Sequence, residues 1–297
     1  MTKRPGATFL RLTLSLLLLL QLSGLAHAVV GGELTPESDP IARSAVMVAC
    51  MQAQGGSERI AGSATGVVVG PSLVLTAAHI FSMCKSEADS RDGVRYWWEL
   101  RFGVNGAAKA GAVIIGPADF RNEDPSRLMS PLKVDHATFK DYAFVHVPGG
   151  LPAGTRPIRI DMDTSGLPKG GETYLSGYGF THERGTDYRL RTARLTITAT
   201  DAASPGLPPI DPHLNAWDRE HYIDFQGRNG HPCLGDSGGP FYRLEQGEPV
   251  LVGMLTHLQN VRPRPPFCQR PAIGMRIDAV RGELQRIIDR TSQTTVP

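Results

Sequence analysis

Cys233-Leu-Gly-Asp-Ser-Gly-Gly-Pro240 is the stretch on which the reading of this chain turns. A serine set among glycines can stand in a tight turn whose backbone N–H groups point outward, where they could stabilise negative charge on the oxygen of a bound carbonyl. A serine hydroxyl is a poor nucleophile without a base, so a histidine and a carboxylate must be sought elsewhere. Gly235-Asp-Ser-Gly-Gly239 also satisfies the G-x-S-x-G elbow of α/β-hydrolases, which requires a helix straight after the serine and a later acid, then histidine. Here Pro240 follows at once, and the only histidine downstream is His257, so the elbow fails.

Upstream the search succeeds. Thr76-Ala-Ala-His79 closes the apolar run Leu73–Leu75, and Asp141-Tyr-Ala-Phe-Val-His-Val147 opens another with its acid first. Asp135 is a rival carboxylate, but only Asp141 leads directly into the apolar run. His136, His146, His182, His213 and His221 carry no comparable context and read as ordinary surface or core histidines.

Around these motifs the chain is rich in strand signals. Ser44–Cys50, Thr65–Val69, Leu73–Leu75, Ala112–Ile115, Tyr142–Val147, Arg194–Thr198, Pro249–Leu255 and Ile273–Ile277 are short apolar or β-branched runs, most of them between Gly- and Pro-rich turns. Gly70-Pro-Ser72 reads as a hairpin turn. Glycines number 33 and prolines 23, about a fifth of the 297 residues against roughly 12% on average, which favours short strands over a helical bundle. One helix is expected, over Ala279–Arg290, where Ala279, Val280, Leu284, Ile287 and Ile288 recur on one face. Pro148–Gly171 reads as a connection between two halves around a weak strand, Arg156–Ile160. Hydrophobic residues at 41% with 20% charged exclude a largely disordered protein.

Met1–Ala28 reads as a cleaved secretory signal. Lys3, Arg4 and Arg11 precede or open the run Leu12–Leu20, and Ala26-His-Ala28 fits a small-residue cleavage site. The apolar run is broken by Gln21, Ser23 and Gly24 before the roughly 20 residues that a spanning helix needs. Cleavage would remove those three basic residues and no acid, taking the formal charge from +2 to −1. A near-neutral mature chain gives no electrostatic reason to expect a nucleic acid or an anionic membrane surface as partner. Export implies an oxidising compartment, and the four cysteines, all in the mature part, then suggest two disulfides whose connectivity the residues leave open.

Taken together, Val29-Val-Gly-Gly32, Thr76–His79, Asp141–Val147, Gly177-Tyr-Gly179 and Gly235–Pro240 resemble the trypsin-like (chymotrypsin-fold) serine proteases, over essentially all of residues 29–290 and in that family's order. The resemblance implies an all-β fold of two six-stranded antiparallel β-barrels with a C-terminal α-helix. The first barrel would occupy about 44–150, the second about 170–278 and the helix about 279–290, ahead of a tail over 291–297. It implies a secreted serine endopeptidase in which Ser237 attacks the scissile carbonyl, His79 carries its proton and Asp141 orients the imidazole. The N–H groups of Gly235 and Ser237 would form the oxyanion hole. A new amine on Val29 would turn inward to pair with Asp236, and cleavage after Ala28 would expose that amine with no propeptide. Cys233 and Cys268 match a family disulfide. Cys50 and Cys84 remain as a second pair, the alternative being two free thiols.

The primary pocket departs from the family. By the resemblance His231 would stand at its base and Thr256, His257, Leu258 and Ala272 along its walls, with Leu258 and Ala272 where the family commonly has glycine. No basal carboxylate is present, so cleavage after Arg or Lys is not expected; a small residue fits, or an acidic one accepting from His231 and His257. The resemblance implies a polypeptide substrate, a protein inhibitor as further partner, a secreted or periplasmic monomer, and no cofactor. No H-E-x-x-H, C-x-x-C, EF-hand or strand–glycine loop–helix phosphate motif occurs, so neither metal nor nucleotide is implied. The rival reading is an inert binding protein on the same scaffold. Tyr96-Trp-Trp98 and the mixed-charge Asp119–Arg127 read equally as a substrate-side loop or an elaborated barrel edge.

Overall fold

The computed structural model describes residues 29–84, 93–110, 113–115, 141–163, 167–181, 185–199, 222–258, 268 and 271–293. Its first sheet grows outward from the hairpin expected at Gly70–Ser72. β2 (Ala45–Gln54), β3 (Ser57–Gly70) and β4 (Leu73–Thr76) follow β1 (Glu33–Leu34), and are joined by β5 (Arg95–Phe102), β6 (Ala108–Ala110), β7 (Val113–Ile115) and β8 (Ala143–His146). They pair in the order β6-β5-β2-β3-β4-β8-β7, each pair antiparallel. Tyr96, Trp97 and Trp98 lie within β5, paired with Gln52, Met51 and Cys50 of β2, so they belong to the sheet rather than to a loop. Trp98 packs edge-on against Phe81 with centroids 5.0 Å apart. Asp119–Arg127 lies outside the described residues.

The second half uses β9 (Arg159–Ile160), β10 (Glu172–Gly177), β11 (Arg191–Ala199), β12 (Tyr222–Gly227), β13 (Pro240–Glu245), β14 (Glu248–Leu258) and β15 (Ala272–Arg276). The order β11-β10-β13-β14-β15-β12 closes on itself through β11–β12, giving a six-stranded antiparallel barrel; β1 adds to β11, and β9 runs parallel to β14. Six strands were expected in each half. The C-terminal half has them in a closed ring, while the N-terminal half carries a seventh, and its outer strands β6 and β7 do not pair with each other among the described residues.

The described residues end in a 3-10 turn over Asp278–Val280 that continues as α1 (Arg281–Gln293), running past Arg290. Its apolar face returns to the first half: Val280, Leu284 and Ile287 share one buried cluster with Val67, Leu73, Leu75, Phe144 and Val145, together with Leu251, Met254 and Met275 of the second half. Burying side chains of this size contributes roughly 1.5–3 kcal/mol each, so the shared cluster fixes the two halves against one another. Among the described residues no helix is long and apolar enough to cross a membrane.

Candidate active site

Strand register brings the first two candidate residues together. β4 and β8 pair with Thr76 opposite Ala143, so the chain leaving β4 runs beside the chain entering β8. His79 follows Thr76 in a 3-10 turn over Ala78–Met83, and Asp141 precedes Ala143. Asp141 Oδ2 lies 2.9 Å and Oδ1 3.1 Å from His79 Nδ1, and Oδ1 also accepts the His79 backbone N–H at 3.0 Å. A carboxylate facing Nδ1 holds the proton on that nitrogen and leaves the lone pair on Nε2. Burial pulls the imidazole pKa down, but the charge of Asp141 and its hydrogen bond outweigh it, and the net shift is upward. Asp135 lies outside the described residues.

The loop of Ser237 reaches the same place from the other half. Thr65 N donates to Ser237 O at 2.9 Å, and Thr76 Oγ1 donates to Thr65 O at 2.7 Å. Gly238, at φ +82°, lies so close to this end of β4 that a Cβ would collide with Thr65 O and Thr76 Oγ1 and come within 2.9 Å of Ala77 N. The glycine after Ser237 is therefore required by close approach as well as by backbone conformation.

Within the loop, the amides of Asp236, Gly238 and Gly239 are engaged. Asp236 N donates to Cys233 O at 3.1 Å, Gly238 N to Leu255 O at 2.7 Å and Gly239 N to Asp236 O at 2.8 Å. The N–H groups of Gly235 and Ser237 have no acceptor among the described residues. Two free donors flanking Asp236 on one turn are the arrangement that an oxyanion site needs.

Asp236 is wholly buried. Its Oδ1 accepts Gly179 N and its Oδ2 accepts Cys233 N, both at 2.9 Å. Burial pushes its pKa up to about 7, against the pull of those two amides. The carboxylate lies so close to Gly177 and Gly179 that a Cβ on either would meet Oδ1, which accounts for the Gly-Tyr-Gly stretch. Tyr178 between them is fully buried and its hydroxyl donates across the halves to Gly103 O at 3.0 Å; burial moves its pKa upward.

Val29 is buried in the second-half core at φ +42°. Its neighbour Val30 bridges to His231, whose N–H donates to Val30 O at 2.7 Å. No hydrogen bond joins Val29 to Asp236, and in the full-length chain the Val29 nitrogen is an uncharged peptide nitrogen.

His231 is half-buried, with Nδ1 enclosed and unpartnered, and burial lowers its pKa. Leu258 and Ala272 are direct Cα partners across β14 and β15, and both side chains lie in the buried cluster that holds Val29. Thr256 is buried and donates to Ile273 O at 3.0 Å. The His257 side chain lies outside the described residues, although its backbone pairs with Ile273. β14 is positioned beside the serine loop because Leu255 both donates to Gly239 O and accepts from Gly238 N. Both disulfides are formed, Cys50–Cys84 and Cys233–Cys268, with Cα atoms 5.6 and 4.8 Å apart.

Two contacts at the site have no counterpart in the sequence reading. Thr65 Oγ1 bonds to Gly235 O, and Tyr142 OH, next to Asp141, bonds to Glu283 of α1. A threonine in a strand and a tyrosine opening one carry no local signal that separates them from ordinary strand residues.

The family model described as Trypsin matches residues 41–271. No curated protein sequence matches the chain. Among solved structures it is similar to the scabies mite inactivated protease paralogue S-I1, at 18% identity and TM-score 0.55 over 87% of this chain and 99% of that one. It is similar also to the scabies mite inactivated protease paralogue S-D1, at 14% and 0.59 over 87% and 97%. A third likeness is to neuropsin, a serine protease expressed in the limbic system of mouse brain, at 18% and 0.54 over 87% and 98%. At these identities the likenesses concern the fold.

Proposed function

This chain belongs to the trypsin family, and on that premise we propose that it is an exported serine endopeptidase. Ser237 Oγ attacks the scissile carbonyl carbon while His79 Nε2 takes its proton. The tetrahedral oxyanion is held by the N–H groups of Gly235 and Ser237, and Asp141 stabilises the imidazolium that forms. His79 returns the proton to the leaving amine, and water then repeats the sequence on the acyl-enzyme. The observation that carries this reading is the pair of free N–H groups on the turn of Ser237, docked through Thr65 and Thr76 on the strand that ends at the His79–Asp141 pair.

Activation belongs to the same reading. Asp236 is a fully buried acid bonded only to amides among the described residues, in a half whose core already holds Val29. Cleavage after Ala28 frees a Val29 ammonium, which supplies the missing countercharge and steadies the oxyanion turn without a second protease. The two disulfides suit an oxidising compartment, with export to the periplasm or beyond.

The test is covalent labelling of the exported protein by a fluorophosphonate, with Ser237→Ala as control. Labelling at Ser237 with peptide hydrolysis is expected. Protein that begins at Val29 but neither labels nor cleaves would be an inert binding protein on this scaffold. N-terminal sequencing that finds any other first residue would overturn the activation step.

A further inference from the structure

Thr65 sits under the serine loop, and each of its polar atoms is engaged. Its hydroxyl donates to Gly235 O and accepts from Tyr178 N, both at 3.0 Å; its N–H donates to Ser237 O at 2.9 Å; its carbonyl accepts from Thr76 Oγ1 at 2.7 Å. The direction of the hydroxyl is fixed, because an amide can only donate to it and a carbonyl can only accept from it. The residue is wholly buried, so no water competes for these bonds.

The peptide units of the turn show what this achieves. In a trans peptide the N–H points opposite to the C=O of the same unit. The unit joining Gly235 to Asp236 is pinned at its carbonyl by Thr65 Oγ1 and at its N–H by Cys233 O. The unit joining Ser237 to Gly238 is pinned at its carbonyl by Thr65 N and at its N–H by Leu255 O. Between and before them lie the units whose N–H groups are free. Their carbonyls accept from Gly239 N and Phe180 N, each at 2.8 Å. Thr65 thus holds alternate units of the turn, and the N–H groups of the units between and before them are left free.

We propose that Thr65 is the positioning residue for the oxyanion site, its hydroxyl aiming the Gly235 and Ser237 N–H groups from beneath the turn. The proposal rests on the proteolytic reading above. Without the hydroxyl, Gly235 O and Tyr178 N lose a buried partner and the turn can rotate toward other acceptors. Such rotation weakens transition-state binding more than substrate binding.

The experiment compares Thr65→Val with Thr65→Ser, with kcat counted per Ser237 titrated by fluorophosphonate, and uses Ser44→Ala as a reference. Ser44 is also buried and also donates to a carbonyl, Arg156 O at 2.8 Å, outside the serine loop. Thr65→Val is expected to lower kcat roughly tenfold with KM within about twofold, Thr65→Ser to recover kcat to within about twofold, and Ser44→Ala to leave kcat unchanged. If Thr65→Val does not fold, Thr65→Ala is read against Thr65→Ser in the same way. Unchanged kcat in the hydroxyl-free variant, a loss confined to KM, failure of serine to rescue, or an equal loss in Ser44→Ala overturns the proposal while leaving the proteolytic reading intact. Native protein that does not label overturns both.

Discussion

Asp141 grips His79 at two places at once: its carboxylate takes the ring Nδ1–H at 2.9 Å and the backbone N–H of the same residue at 3.0 Å. The main-chain bond holds the carboxylate beside His79 and so keeps Oδ2 facing the ring nitrogen. Asp141→Asn is expected to keep the backbone bond yet favour the wrong tautomer, lowering kcat by about four orders of magnitude with little change in KM. Steady-state kinetics on a peptide substrate checks this, and a loss below tenfold would remove Asp141 from the proposed triad.

The upward shift of His79 fixes the acid limb of activity. The imidazole must be neutral to accept the Ser237 proton, so kcat/KM should rise with pH through an apparent midpoint above 6.5, the ordinary histidine value. Asp141→Asn removes the charge responsible and leaves the effect of burial, which moves the midpoint below 6.5. A pH–rate profile of both proteins is the measurement.

Asp236 gives a second pH dependence, in stability. With one alanine retained ahead of Val29, no ammonium reaches the carboxyl. Its native pKa near 7 then stands above the unfolded value of about 3.9. Between these values the native state holds a proton that the unfolded chain has lost. Stability should be full below about pH 4, fall as pH rises, and level off above about 7. Protein beginning at Val29 should fall less over the same window. Urea unfolding at pH 5 and pH 7.5 compares them; equal slopes would dissociate Val29 from Asp236.

In the proposed specificity pocket Leu258 and Ala272 are partners across two strands, and burial lowers the pKa of His231, its proposed base. Peptides with a small residue before the scissile bond should be cleaved well, and those with Arg or Lys poorly. Replacing both Leu258 and Ala272 by glycine should raise kcat/KM on an aromatic residue at that position by at least about tenfold. Efficient cleavage after Arg by the unaltered enzyme would refute this assignment.

Removing the Cys50–Cys84 bridge, which closes a separation of 34 residues, should cost about 3–4 kcal/mol of unfolding free energy. Cys50→Ala with Cys84→Ala, measured by urea unfolding, tests it.

Much of this fold is legible in the sequence alone. The hairpin at Gly70–Ser72, the strands through Ser44–Cys50 and Pro249–Leu255 and the terminal helix all carry periodicity or turn residues that act locally. Less legible were β5, β10, β12 and β13, whose residues mix polar and apolar types and become strands only because neighbours pair with them on both sides. β5 is an example: β2 pairs with it from Arg95 to Phe102 and β6 with its end, Leu100–Phe102.

The linear chain by itself singled out the side chains proposed to carry chemistry, because His79, Asp141 and Ser237 stand in short stretches of distinctive glycine, alanine and apolar context. The tertiary structure alone decided what steadies them. Thr65 meets Gly235 across 170 positions and Tyr142 meets Glu283 across 141. Such contacts depend on how two sheets close against each other, a property of packing over the whole core that no local run of residues encodes.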